Sequence, residues 1–486
     1  MIRRSLSLGV ALAGLAAYGA AYADGFEHPD NGTVAVGRAG AYTARASEGS
    51  AVQYNVAALA GQRGTRLTVQ LNLTDPNLCF DRDGTYADDG RDPNNGNARY
   101  EFNGQEYPEV CLESGFLHGP GPMLAISSDL GHANWPVFAL GLYGPHSPEQ
   151  LVYPETVTTA NGATAPAPQR YDLVSRHLIV LFPTFAVSYQ ALPWLRLGGA
   201  FQAVFAKLQF TSAVTSSGSE TPSTDYLTNL DTMDPFTPAG ILAAQARFSR
   251  FDVGLSYRHS GDFEADGEVT FEKTAFTGSD LLEPRSDAIV YAPQNPAARV
   301  GVRYFHPRAS ADAGDWRAWD PMEDEVFDVE FDAVWEGNSA FDSLRIEVEE
   351  DFLDFTESLR TSVADPEIVH DWKDTIGFRL GGDYNLLPGR LAIRAGGLYE
   401  PGAAPVEYTR VDFLAFRKVG FFAGATYRLG GWDLSVGGGH LFGSPRDILN
   451  GKTRAIGPTG PSDFVINDGE WKASLTVISL GANYRF

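Results

Sequence analysis

Cysteine is nearly absent, with two in 486 residues. That excludes a disulfide-dense scaffold and a cysteine-rich metal site, so no metal is expected. Basic residues are in deficit, 37 against 61 acidic, for a formal net charge of -24. A nucleic-acid partner would need a basic face, and none is expected. No internal run reaches the ~18 apolar residues a spanning helix requires. Phosphate-cradle and dinucleotide patterns are missing, as is any G-x-S-x-G nucleophile context. Nine scattered histidines are poor support for catalysis. An enzyme is therefore not expected, and neither is a cofactor. What the chain does have is 43% hydrophobic residues, 52 glycines and 12% aromatics. The first is enough for a packed structure, and the other two are high for a soluble enzyme of this length.

The N-terminus predicts export. Arg3 and Arg4 precede an apolar stretch over residues 6–19, and Ala21-Tyr22-Ala23 is an A-x-A cleavage signal. Residues 1–23 read as a signal peptide removed before Asp24. No cysteine follows the cleavage site, so a lipid anchor is not expected.

Beyond it the chain alternates with period two. Leu67, Val69, Leu71 and Leu73 interleave with Arg66, Thr68, Gln70 and Asn72. The last segment puts Thr476, Ile478, Leu480, Ala482, Tyr484 and Phe486 on one face and Ser479, Gly481, Asn483 and Arg485 on the other. Such segments are strands with one apolar and one polar or small face. Short connections (131–135, 191–194, 248–251, 386–390, 429–432) largely alternate with long polar ones (75–121, 146–171, 212–240, 261–297, 338–371, 443–469). A transmembrane β-barrel sorts its loops this way and carries aromatic girdles at the strand ends. Trp135, Tyr143, Tyr189, Trp194, Tyr257, Tyr304, Trp335, Trp372, Tyr384, Tyr399, Trp432 and Trp471 fit that role. The fold class expected is all-β, an antiparallel barrel of about fourteen strands over residues 63–486. Lipid offers no hydrogen bonds, so the sheet must close on itself. The stretch 305–325 is awkwardly long for the short-turn side.

Residues 24–62 are different, being small, polar and without alternation. They could hang outside as a tail or sit inside as a plug. Gly437-Gly438-Gly439 reads as a small-residue strand face. Cys79 and Cys111, 32 positions apart in an exported loop, are expected to form one disulfide. The same loop carries Asp81, Asp83, Asp88, Asp89 and Asp92. It lacks the closing glutamate of a calcium loop and reads as a solvated acidic loop.

The segment GFEHPDNGTVAVGRAGAYTARASEGSAVQYNVAALAG resembles the N-terminal hatch of the long-chain fatty acid outer-membrane transporters, the FadL/TodX/OmpP1 family. Gly37-Arg38-Ala39 matches that family's G-R-A motif, and Asn55-Val56-Ala57 stands where the family has Asn-Pro-Ala. Similarity continues through Pro183 and Ala186, then Asn295 to Tyr304, Asp328 to Glu347, and Trp372 to Glu407. The resemblance implies a fourteen-stranded barrel plugged by residues 24–62, in the outer membrane of a Gram-negative bacterium. The implied partners are a long-chain fatty acid or similar hydrophobic ligand and the surrounding outer-membrane lipid and lipopolysaccharide, with the protein a monomer. Uptake would be diffusive. The ligand would pass from an outer groove to a pocket against the hatch, then leave sideways at a kinked third strand. An apolar route avoids hydrating the tail, at ~0.8 kcal/mol per methylene. Phe26, Gly37, Arg38, Asn55 and Ala57 are the hatch candidates. Gly141, Gly144 and Pro145, at the end of a third strand expected over 136–145, are the kink candidates. Arg170, Arg176 and Lys207 are candidates to meet a carboxylate. Competing classes are an outer-membrane lipid hydrolase, which needs an exterior Ser-His pair, and a general porin or adhesin. A porin would have a charged lumen and no small-residue plug.

Overall fold

The computed structural model describes residues 31–83, 101–102, 105–113, 115, 120–132, 134–144, 150–216, 220–278, 282–309, 311, 316, 319–350, 352–354, 360–362, 365–457 and 460–486. The signal segment, Phe26, Asp88, Asp89, Asp92 and Pro145 lie outside the described residues.

The alternation produces a closed wall of fourteen antiparallel strands. In chain order the segments are β1 (Thr65–Arg82), β2 (Pro120–Ser128), β3 (Val137–Leu142), β4 (Gln150–Val152), β5 (Ser175–Leu181), β6 (Thr184–Leu192), β7 (Leu195–Thr215) and β8 (Asp225–Phe248). They continue as β9 (Phe251–Ser260), β10 (Phe263–Lys273), β11 (Arg285–Ala292), β12 (Ala297–Pro307), β13 (Glu325–Glu336), β14 (Ser343–Val348), β15 (Glu367–Val369) and β16 (Thr375–Leu387). Last come β17 (Leu391–Glu400), β18 (Lys418–Leu429), β19 (Trp432–Gly443), β20 (Arg446–Ile448) and β21 (Gly469–Arg485). Several wall strands consist of two such segments. The third is β3 and β4, the fourth β5 and β6. Closure is made by β21 on β1, in register from Arg66 opposite Arg485 to Arg82 opposite Gly469. This leaves no edge to be satisfied in lipid.

Polarity is inverted relative to a soluble protein. On β1, Val69 and Leu71 face out and are exposed, while Thr68, Gln70 and Asn72 face in and are buried. An apolar exterior on a closed barrel is the arrangement that a bilayer stabilises. Trp135, Tyr189, Trp194, Tyr257, Tyr384, Tyr399 and Trp432 are exposed, as a girdle requires. Tyr143, Trp372 and Trp471 are a correction: all three are buried and pack internally.

The long loops also need correcting, because much of their length is ladder. Residues 212–215 of β7 pair with 225–228 of β8, and β10 pairs with β11. At 21 and 24 residues, β7 and β8 run far past the ~9–11 residues that cross a membrane. Cys79 and Cys111 are disulfide-bonded within this region, tying β1 to a short strand at Val110–Cys111. Between β12 and β13, described residues of the long 308–324 connection lie across the short-turn end. Its Asp320 carboxylate meets Arg428 of β18 at 2.7 Å and Arg485 of β21 at 3.1 Å. Trp316 lies 3.9 Å from the Arg196 guanidinium of β7. These strands stand on different sides of the ring, so the connection reaches across the opening.

Residues 31–62 fill the lumen. Closely spaced glycines break them into α1 (Thr33–Val36), α2 (Ala51–Tyr54) and a 3-10 turn at Val56–Gly61. None of residues 31–62 is exposed. They touch the wall on many sides. Thr33 is 2.8 Å from Ser479 of β21, the amides of Tyr42 and Thr43 donate to Asp332 of β13, and Ser188 of β6 donates to the Ala57 carbonyl. Glycines in the wall make room for this backbone. A Cβ at Gly381 would stand 2.5 Å from the Arg38 carbonyl, and one at Gly437 would stand 2.7 Å from that of Thr33.

Candidate ligand-binding site

The lumenal segment is held by buried charge. Arg38 meets Asp328 at 2.8 Å and Glu330 at 3.1 Å on β13, and Asp383 at 2.8 Å on β16. Alternation along Asp328, Glu330 and Asp332 points all three carboxylates inward. Gly37 lies against Arg394 and Gly424. The Asn55 side chain donates to the Thr43 carbonyl at 2.8 Å and accepts from the Ala57 amide at 3.1 Å. Asn55 is thus a turn-forming residue of the plug. Ala57 sits where a Cβ on Gly198 would approach its amide to 2.6 Å.

On the long-loop side of this plug lies an apolar cavity. Leu178, Val180, Phe182, Leu208, Phe263 and Val290 are among its lining, as is Gln53 of α2. The space between atoms, open mouth included, is about 1180 Å³. Arg176, Arg258 and Glu336 are the charged groups on it. This fits the general form of small-molecule sites, apolar walls with a few placed polar groups. Arg176 is buried, donates to the Asp412 carbonyl at 2.6 Å and lies 4.6 Å over the Phe413 ring. The Arg258 guanidinium is 5.6 Å from the Phe182 ring.

Phe413 belongs to the segment joining β17 to β18, which folds inward as a roof. Val411, Phe413, Leu414 and Phe416 are all buried. The roof is anchored by polar groups. The Val411 amide donates to Asp172 at 2.7 Å, Arg410 meets Asp172 at 2.5 Å, and His370 meets Asp412 at 2.8 Å. Burial pushes the Asp172 carboxyl up to about 7 against the opposing pull of Arg410. Burial acts the same way on Asp412, yet His370 and Arg410 outweigh it and hold that carboxyl below its ordinary range.

A second cavity lies farther toward the long loops, lined by Val214, Tyr226, Leu230, Phe271, Ile346 and Ile368 among others, its space between atoms about 720 Å³ with the open mouth included. Below the plug the lumen is polar. Arg45, Glu48, Arg66, Arg303, Asp320 and Arg394 line a space of about 1010 Å³.

Of the residues singled out from sequence, Arg176 and Gly144 line the apolar cavity. Arg170 does not. It is buried against Asp225 at 3.0 Å and Glu220 at 3.7 Å. Lys207 is half-exposed, alternates out of phase with the inward Ala206 and Leu208, and meets Asp231 at 3.2 Å. The strand phase turns it outward, away from the lumen. Gly141 lies within β3, where a Cβ would meet Val52 of α2 at 2.9 Å. β3 ends at Leu142, three residues short of the expected end, so the ladder is interrupted at Tyr143 and Gly144, and β4 begins at Gln150. Gly144 stands in this interruption, its carbonyl accepting from the Asn31 side chain at 2.9 Å. Arg258, Phe210 and Phe413 were not singled out from sequence. Arg258 and Phe210 occupy inward phases of alternating strands and were legible there. Phe413 sits in irregular chain, where no periodicity reports direction.

No family model matches the chain, and no curated protein matches it. Solved structures do. A Pseudomonas aeruginosa FadL homologue superposes with a TM-score of 0.69 at 15% identity, over 95% of this chain and 100% of that one. The fold is that of the FadL-type channels. The Pseudomonas putida toluene transporter TodX gives 0.61 at 15% identity, over 95% of this chain and 99% of its own. The Ralstonia pickettii toluene transporter TbuX gives 0.58 at 14%, over 94% and 99%. The likeness therefore extends over nearly the whole FadL-type architecture.

Proposed function

We propose that this chain is an outer-membrane channel of the FadL/TodX family that admits long-chain fatty acids or similar hydrophobic small molecules by diffusion, working as a monomer. The observation that carries this reading is the apolar cavity above the plug, with Arg176, Arg258 and Glu336 as its charged groups on a lining mostly of aliphatic and aromatic side chains. A carboxylate suits either guanidinium, and the aliphatic walls suit a tail. The neighbouring folds bear names of toluene transporters, in keeping with an apolar cargo.

The route follows from where polarity lies. Below the plug the lumen is charged, and the 305–325 connection spans its mouth. An apolar molecule gains nothing by moving there. The interruption of the third strand lies beside the cavity, since Tyr143 and Gly144 belong to its lining. Lateral exit into the outer leaflet at that point is the path of least desolvation. The hydrogen bond from Asn31 to Gly144 links the lumenal segment to this point and supports a gating role for it.

The test is uptake of labelled palmitate by a Gram-negative host lacking its own fatty-acid channel. Expression of this chain is expected to restore uptake, and Asn31→Ala to alter its rate. Uptake no higher than in the empty host, with toluene entry equally unchanged, would overturn the reading.

A further inference from the structure

The two apolar cavities meet at one side chain. Among the described residues, Phe210 alone lines both. The change from one cavity to the other occurs at a single level in several strands. On β7, Ala206 and Leu208 face the inner cavity, while Ser212 and Val214 face the outer one. On β14, Leu344 faces the inner and Ile346 and Val348 the outer. On β10, Ala265 faces the inner and Val269 and Phe271 the outer. Phe210 pairs across the wall with Arg176 on one side and Leu230 on the other. Arg176 belongs to the inner cavity and Leu230 to the outer. The cavities are thus stacked along the barrel, with the buried Phe210 side chain, 7% exposed, at their boundary.

We infer that Phe210 is the specificity-determining residue for ligand length. With the ring across the neck, the inner cavity holds a compact ligand or a short acyl chain whose carboxylate meets Arg176. With the ring turned aside, the spaces of about 1180 and 720 Å³ join, and a long unbranched chain extends through the neck. Inward residues 206 and 214 are about 27 Å apart at the usual strand rise, which is the length of channel so made. The ligand class is a single-chain amphiphile. The inference rests on the function proposed above and adds the residue that sorts its cargo.

The experiment measures the affinities of decanoate and stearate for the detergent-folded full chain by competition with a fluorescent fatty acid. Phe210→Ala and Phe210→Trp are compared with the unchanged protein. Phe210→Ala is expected to raise the stearate-to-decanoate affinity ratio about ten-fold, as roughly two more buried methylenes would. Phe210→Trp is expected to lower it by a similar factor. Retained heat-modifiable mobility on gels confirms folding of each variant, and Phe210→Leu takes the place of either one that fails. An unchanged ratio in both directions overturns the partition and leaves the transport reading standing. Failure of the unchanged protein to bind either acid overturns both.

Discussion

At the residue scale, the account turns on arginines whose partners are remote in sequence. Arg38 lies against three carboxylates about 290 to 345 positions away. Removing its charge takes from all three their closest cation and leaves Asp328 and Asp383 only longer contacts with Arg45, Arg303 and Arg394, and breaking a buried pair of this kind costs ~3–5 kcal/mol. Arg38→Met is expected to lower the urea midpoint of folded protein in detergent by that order. A midpoint shift under ~1 kcal/mol would contradict the assigned role. The motif around Arg38 was readable, and so was the inward acidic phase of Asp328, Glu330 and Asp332. That one answers the other was not, because nothing local in a sequence reports a contact across a lumen. Arg176→Gln is expected to weaken palmitate binding about ten-fold or more and leave toluene binding unchanged, since a hydrogen bond to a charged group contributes ~1.5–3 kcal/mol. Equal losses for both ligands would mean that the side chain only packs.

Asp172 and Asp412 give the roof a pH dependence. An unfolded aspartate titrates near ~3.9, whereas folded Asp172 titrates at about 7. Between those values the folded state holds more protons, so its stability falls as pH rises through that window. Asp412 acts oppositely, contributing stability above the unfolded value that is lost as pH falls through its depressed folded one. Proteolysis within residues 401–417 is therefore expected to be slowest near pH 4–5, and faster both in stronger acid and toward pH 8. Asp172→Asn removes the rise toward pH 8. A rise that survives in that variant would place its cause elsewhere.

At the element scale, the strand pattern was legible because a membrane wall shows its two faces in strict alternation. Loop lengths were less so, since the ladders of β7 with β8 and of β10 with β11 continue above the bilayer, where polar residues appear on both faces and the period fades. The plug had composition but no period, and composition alone left its place undecided. Its fit depends on glycine in the wall. Gly381→Val puts side-chain carbon where the Arg38 carbonyl stands. The barrel is expected to form while the plug is displaced, seen as ion conductance in planar bilayers above that of the unchanged protein. Silent bilayers with a fully folded variant would show that the wall yields instead. Reduction of Cys79–Cys111 should leave the barrel folded and raise protease sensitivity near the first hairpin, because the bond ties the short strand at Val110–Cys111 to β1.

At the scale of the whole molecule, the lumen is divided by polarity. Apolar cavities lie toward the long loops, a charge-tied plug closes the middle, and a polar chamber lies beneath it. On the proposed reading, such a stack gives a water-borne solute no path along its axis and an apolar one a way in but no favourable way straight through. The proposed route takes the remaining direction, sideways beside Tyr143 and Gly144. The measurement that bears most directly on this is a structure of the protein saturated with palmitate. The tail is predicted between Phe182, Leu208 and Phe263, with its carboxylate at Arg176 or Arg258. A cavity filled with ordered water, or the acid lodged among the charged groups below the plug, would contradict it.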